Sequence, residues 1–182
     1  QLVTLRLGQM TAKVSTYGAT ITSVVVPDCR GQPTETTLGF DTHEAYEKCP
    51  YYFGATIGRF ANRIGQGSFF SIGGTRVQLP QPNDRGNTLH GGMRGWDKAV
   101  WTLKHTSATA CTLAHSSPDG DAGFPGAVEA TVTFSLEWGG RLVITYGASV
   151  SAATVLSLTN HAYFNLGATD GGERSDVLDH EL

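Results

Sequence analysis

The chain predicts an all-β fold, a sandwich or barrel of antiparallel sheet formed as one unit across residues 1–182. Apolar and polar residues alternate with period two over most of the length, as they do where one face of a strand is buried. Paired glycines, Gly73-Gly74 and Gly139-Gly140, interrupt that alternation at hairpin spacing. A helical period is confined to residues 42–48, two turns at most.

Taken in order, strands are expected over residues 2–7, 13–17 and 20–26. The short helix follows, and strands at 68–72 and 76–79 flank Gly73-Gly74. Residues 101–104 and 110–115 come next. The clearest strand is 127–137, where Val128, Ala130, Val132, Phe134 and Leu136 alternate with Glu129, Thr131, Thr133, Ser135 and Glu137. Beyond Gly139-Gly140 the pattern repeats, with Leu142, Ile144, Tyr146, Ala148 and Val150 on one face. A last strand is expected at 155–159. Three stretches, 53–67, 80–96 and 159–167, break the alternation and concentrate Gly, Asn, Arg and His beside aromatic residues. On a rigid β scaffold, such loops and strand ends are where binding and catalysis sit.

Composition narrows the function. The chain is 40% hydrophobic and 16% charged, which is globular and excludes collagen, coiled coil and disorder. Its net charge is −3 and its basic residues are scattered, so no nucleic-acid partner is expected. No apolar run approaches the roughly 18 residues of a membrane span, and no membrane partner is expected either. Cys29, Cys49 and Cys111 are odd in number and fit no ligand or redox motif, which suits a reducing, cytoplasmic setting. Nothing in the pattern sets an oligomeric state.

The abundant glycines do not form a nucleotide loop, since neither G-x-G-x-x-G nor a P-loop occurs. No two of the six histidines stand at H-x-H or H-x-x-x-H spacing, so no metal site is read. There is no G-x-S-x-G elbow, and no cysteine has a setting that would activate it. Histidine remains as the acid–base group, because its ordinary pKa near 6.5 lets it give or take a proton at neutral pH. Two of the six stand out by context. His90 is flanked by Gly91-Gly92, which allow close backbone or ligand approach, and His161 ends an apolar strand between Asn160 and Ala162-Tyr163-Phe164. His43, His105, His115 and His180 read as structural. Asn62 and Arg63, with His90, His161 and nearby aromatic rings, would make a hydrogen-bonding cleft with an apolar floor. A sugar requires that combination, and no cofactor is implied.

Four motifs follow one another in order: Asn62-Arg63-Ile64; Asn87-Thr88-Leu89-His90-Gly91-Gly92 with Gly95-Trp96-Asp97; Ser117-Pro118-Asp119-Gly120-Asp121 through Phe124-Pro125-Gly126; and Thr159-Asn160-His161-Ala162-Tyr163-Phe164-Asn165-Leu166-Gly167. Together they resemble the galactose mutarotase, or aldose 1-epimerase, family. The resemblance implies a large, twisted antiparallel β-sandwich that interconverts α- and β-anomers of hexoses such as galactose and glucose, without a cofactor. It also implies residue roles: His161 as the general acid toward the ring oxygen, His90 as the second active-site histidine and sugar ligand, Arg63 as the sugar-binding arginine, and Asn62 beside it on the hydroxyls.

The chain departs from its family in length. The resemblance puts the catalytic Glu base and a sugar-binding Asp in a C-terminal part that these residues do not match, and Asp97, Asp119, Asp121 and Glu173 fit neither by motif. The sequence opens at Gln1 inside a strand, without Met, and stops at Leu182 without a closing turn. The expectation is therefore the N-terminal portion of a larger mutarotase-like domain, incomplete here and inactive alone. Two further readings are a hexose-6-phosphate 1-epimerase, with Arg59, Arg85 and Arg94 as candidate phosphate ligands, and a non-catalytic carbohydrate-binding or regulatory domain. A structural β-domain with no site is the blandest of the four.

Overall fold

The computed structural model describes residues 1–65, 68–80, 82–167, 176–178 and 180. Its first sheet is built from β1 (Leu2–Leu7), β2 (Met10–Ser15), β3 (Thr20–Pro27) and β4 (Pro33–Glu35), joined antiparallel in chain order. The helix α1 (His43–Lys48) follows, with the Thr42 hydroxyl accepting from the Ala45 N–H as an N-cap. Short strands then cross the irregular middle of the chain: β5 (Thr56–Ile57), β6 (Arg63–Ile64), the hairpin β7 (Phe69–Ile72) and β8 (Thr75–Gln78), and β9 (Thr88–Leu89). The second large sheet runs β10 (Thr102–Thr106), β11 (Ala110–Ser117), β12 (Val128–Glu137) and β13 (Arg141–Val150), again antiparallel in order. Last comes β14 (Thr159–Asn160), which pairs back onto β5.

The alternating pattern translates directly into packing. Val128, Ala130, Val132, Phe134 and Leu136 of β12 are all buried, while the residues between them face outward. They share one core with Val3 and Leu5 of β1, Ala12 and Val14 of β2, Ile21 of β3, Leu113 of β11, and Trp96 and Trp101. Full burial of a side chain such as Phe134 or Leu5 stabilises by about 1.5–3 kcal/mol, so this shared core is what joins the two sheets. Backbone bonds stitch the seam, from Trp101 N–H to Thr16 and from Gly18 N–H to Ala99, both at 2.7 Å. Both residues of the Gly73-Gly74 turn have positive φ, as the twist of a two-residue hairpin demands.

The strand expected over 155–159 does not form as one. Residues 155–158 are extended but meet a partner only at Ser157, in a single parallel bridge to Phe60, and the ladder begins at Thr159. Their apolar composition reflects packing of Leu156 and Leu158 on the core rather than membership of a sheet. Conversely, the irregular stretches conceal β5, β6, β9 and β14. On the outer side of the core, Met10, Ile21 and Val24 face Leu142, Ile144 and Phe164 across an open apolar groove. Among the described residues, no helix is long and apolar enough to cross a membrane.

One buried cation ties the middle of the chain to the second sheet. Arg59 is 2% exposed and all its polar nitrogens are used. Its Nε donates to Ser117 Oγ at 2.9 Å, Nη1 to the carbonyls of Pro125 and Gly126, and Nη2 to those of Ser117 and Pro118. Burial pulls its pKa down, and Asp121 and Asp119 pull it back up. Arg59→Lys keeps the charge but offers only three donors from a single point, leaving buried carbonyls unpaired at about 1–3 kcal/mol each. The variant should lower the urea midpoint by an amount corresponding to a loss of roughly 3 kcal/mol or more, with an unchanged slope. A midpoint within error of the parent would show that the guanidinium does not hold this region.

Candidate active site

The histidine pair arises where the two-residue ladders converge. His161 directly follows β14, and its backbone is fixed by reciprocal bonds: its N–H donates to the Ala55 carbonyl at 2.9 Å and its carbonyl accepts from Gly54 N–H at 3.1 Å. Asn160 secures the same corner, donating from Nδ2 to Gly54 O and accepting Ala162 N–H on Oδ1. His90 directly follows β9, which pairs with β6 so that Arg63 stands opposite Leu89. The Asn83 amide grips Leu89 on both sides, with bonds of 3.0 and 2.7 Å to its carbonyl and N–H. The glycines after His90 serve the backbone rather than a ligand. A Cβ on Gly91 would lie 2.0 Å from the Gly58 carbonyl, and Gly91 has φ of +86°.

The four residues expected at the site come together. The His90 and His161 ring centroids are 5.1 Å apart and nearly perpendicular, at 86°. Asn62 N–H donates to His90 Nδ1 at 2.9 Å, while His90 N–H donates to the Asn62 carbonyl at 3.0 Å. Arg63 Nε reaches Asp84 Oδ2 at 2.5 Å, and its Nη1 reaches Asn62 Oδ1 at 3.0 Å. Asn62 and His90 both adopt left-handed backbone, φ +62° and +53°, a conformation that Asn and His tolerate better than most residues. Clustering of such conformations is common where a fold fixes functional groups.

The electrostatics distinguish the two imidazoles. Burial, with help from His161 and Arg63, pushes the His90 pKa down to about 4. His90 is therefore neutral at pH 7. Because Nδ1 accepts a backbone bond, its proton sits on Nε2, which makes it a fixed donor. Tyr52 is the neighbour that sequence reasoning missed. Its ring lies 4.8 Å from His90 and 5.6 Å from His161, and it begins one residue before the stretch that broke the alternation. The signal available was the run Tyr51-Tyr52-Phe53, three aromatic residues in succession.

The remaining candidates sort by what they touch. Arg59 is consumed by the loop at 117–126 and cannot bind a phosphate; Arg85 and Arg94 are exposed. The aspartates of that loop serve it internally, with Asp119 accepting from Gly126 N–H and Asp121 from the Ser117 hydroxyl. Asp97 is buried and bonded to Lys98, and Glu173 lies outside the described residues. His115 packs against Trp96 and Trp101, His43 pairs with Glu47, and neither adjoins the imidazole pair by ring contact. Among the described residues, no group of three or more His, Cys, Asp or Glu is arranged to hold a metal.

An antiparallel β domain presenting two adjacent imidazoles, one held neutral, beside an Arg–Asn pair is a scaffold for acid–base chemistry on a polar ligand. The comparisons with known proteins are specific. Residues 1–182 match the family described as aldose 1-epimerase, and the chain belongs to that family. It is 42% identical over 178 residues to the galactose mutarotase of Rattus norvegicus, covering 98% of this chain and 50% of the relative. It is 40% identical over 183 residues to the aldose 1-epimerase of Escherichia coli K12, covering 100% of this chain and 51% of the relative. The chain thus spans about half the length of the relatives it matches. Among solved structures, the GalM/aldose epimerase homologue from C. elegans superimposes with a TM-score of 0.86 at 31% identity, over 91% of this chain and 51% of that one. Galactose 1-epimerase from Lactobacillus acidophilus gives 0.75 at 27% identity, over 91% and 53%.

The lowered pKa of His90 has a consequence for stability. The unfolded histidine binds a proton below about pH 6.5 and the folded one only near pH 4, so between these values the unfolded state holds more protons. Stability should fall as pH drops through that window. In urea titrations at pH 7 and pH 4.5, the parent should lose more stability than His90→Asn; equal losses would show that His90 is not held neutral.

Proposed function

We propose that this chain supplies the acid half of a hexose mutarotase site, acting on galactose or glucose, with the base carboxylate contributed from outside the described residues. The observation that carries the reading is the pair of half-buried imidazoles 5.1 Å apart, one of which is a neutral, fixed Nε2–H donor. Membership of the aldose 1-epimerase family supports the reaction class.

In this mechanism His161, as imidazolium, gives its proton to the ring oxygen of the sugar. The bond from C1 to that oxygen breaks as a base removes the proton of the C1 hydroxyl, leaving an open-chain aldehyde. Rotation about C1–C2 presents the other carbonyl face. The ring hydroxyl then adds to C1 and returns its proton to His161, while the base returns the other to the carbonyl oxygen. Charge and protons are restored, and only the anomeric configuration has changed. His90 donates Nε2–H to a sugar oxygen during both halves, and Arg63 and Asn62 hold hydroxyls. Paired acid–base help of this kind is worth roughly 10²–10⁴-fold per group.

A base carboxylate has no evident place among the described residues. Asp84 is bonded to Arg63, Asp97 to Lys98, and Asp119 and Asp121 to the loop that holds Arg59. The open apolar groove between β3 and β13 is a surface on which further strands of a larger domain would pack. This supports residues 1–182 as the N-terminal portion of that domain. The free thiols, with Cys29 exposed, suit the cytoplasm.

Galactose added to the 182-residue chain should perturb the imidazole NMR signals of His90 and His161, and polarimetry should show no mutarotation above the buffer rate. A full catalytic rate that His161→Ala abolishes would sink the claim that the base lies elsewhere. Glucose should compete with galactose; competition by glucose 6-phosphate alone would favour the phosphate-sugar reading, and unperturbed imidazoles would remove the sugar site itself.

A further inference from the structure

Tyr52 has features that the site described so far does not use. Around it, Tyr51 stacks on Phe53 at 6.1 Å, Phe53 meets Tyr163 at 4.8 Å, and the Tyr163 ring lies 5.2 Å from that of His161. Tyr52 alone among these rings adjoins both imidazoles. Its φ is +60°, left-handed backbone that is unfavourable for a bulky L-residue, so surrounding contacts must hold it there. Ala55 N–H donates to the Tyr52 carbonyl at 3.0 Å, which closes the turn, and Ala55 in turn accepts the His161 N–H. The turn that aims the Tyr52 ring is therefore bonded directly to the residue whose side chain it faces.

The ring closes a triangle. Its centroid is 4.8 Å from His90, with the planes at 77°, and 5.6 Å from His161, at 33°. The imidazoles form the third side at 5.1 Å. Lys98 lies over the ring, its Nζ 5.4 Å from the centroid and 3.0 Å from Asp97 Oδ2. Asp97 is itself buried in the turn at Trp96–Lys98, and Trp96 packs against Gly58 so closely that any Cβ there would fall 2.1 Å from its indole. A cation over an aromatic face is attracted to it by the ring quadrupole. Tyr52 thus has over its ring one member of a charged pair anchored in the core, and the same ring adjoins both imidazoles.

We propose that Tyr52 is a positioning residue: its ring, backed by the Lys98–Asp97 pair, holds the imidazoles of His90 and His161 at their mutual angle. This rests on the reading that both imidazoles work on one sugar, but its test does not. The ring needs no contact with the reacting atoms. Without it, His90 retains the single bond from Asn62 N–H and gains room to turn, and a turned imidazole can place its proton on either nitrogen.

The test is 15N-histidine NMR of the 182-residue chain without sugar, comparing the parent with Tyr52→Leu, Tyr52→Phe and Lys98→Met. The parent should show the His90 signals of a fixed Nε2–H tautomer. Tyr52→Leu should move both His90 nitrogens toward their common average and shift the His161 ring protons, because the adjacent aromatic ring current is lost. Tyr52→Phe, which keeps the ring and drops only the hydroxyl, should restore the parent spectrum. Parent-like His90 signals in Tyr52→Leu, or failure of Tyr52→Phe to restore them, would overturn the proposal. Should Tyr52→Leu not fold, Lys98→Met decides: partial averaging of the His90 nitrogens supports the brace, and an unchanged spectrum refutes it. Loss of sugar binding in the parent would defeat the mutarotase reading and leave this result standing.

Discussion

The guanidinium of Arg59 is the interaction on which the rest of this architecture depends. A charge that deep in a protein is tolerable only when its donors are answered, and here the answering groups are one hydroxyl and four carbonyls from a single loop. That loop connects β11 to β12, the best-packed strands of the second sheet. Arg59 lies two residues after β5, which carries His161 through β14, and three before Asn62, which anchors His90. The cation therefore fastens both halves of the candidate site to the core through one side chain. Asp119 and Asp121 support it indirectly, by shaping the loop that presents the carbonyls.

A second principle is the division of labour between two chemically identical side chains. His90 is enclosed, bonded at Nδ1 by backbone, and flanked by Arg63; each of these disfavours its protonation. Two imidazoles in contact cannot both carry charge cheaply, and the surroundings decide which one remains neutral. Arg63 contributes twice, as a cation beside His90 and as the middle of the Asp84–Arg63–Asn62 chain that holds the Asn62 side chain. The result is a neutral donor of fixed direction beside a second imidazole.

How much of this was legible in the sequence varies with the length of the element. The ten residues of β12 write their burial as strict alternation, and the structure follows them residue by residue. Two-residue strands such as β5, β6 and β9 have no period to read, so they surfaced only as the irregular stretches between periodic ones. Residues 155–158 misled for the opposite reason, since core packing alone makes a segment apolar. His90, His161, Asn62 and Arg63 could be singled out as candidates because polar residues among glycines and aromatics require an explanation, and the structure places the four together. Arg59 stood in the same stretch and looked like a free cation, and only its 2% exposure reveals a structural one. Tyr52 was silent, because what marks it is placement: nothing in the letters separates the ring that meets both imidazoles from the aromatic rings on either side.

The ladders that carry the imidazoles contain two residue pairs each, while β12 and β13 are joined over ten. Backbone protection follows such differences, and segments with few ladder bonds open at lower free energy than the sheets they rest on. The order of opening is thereby built into the chain. Short ladders of this kind let the backbone around residues 54–57, 88–90 and 159–161 open at a free energy below that of the β11–β12–β13 sheet, which leaves the site room to breathe while the fold stays closed.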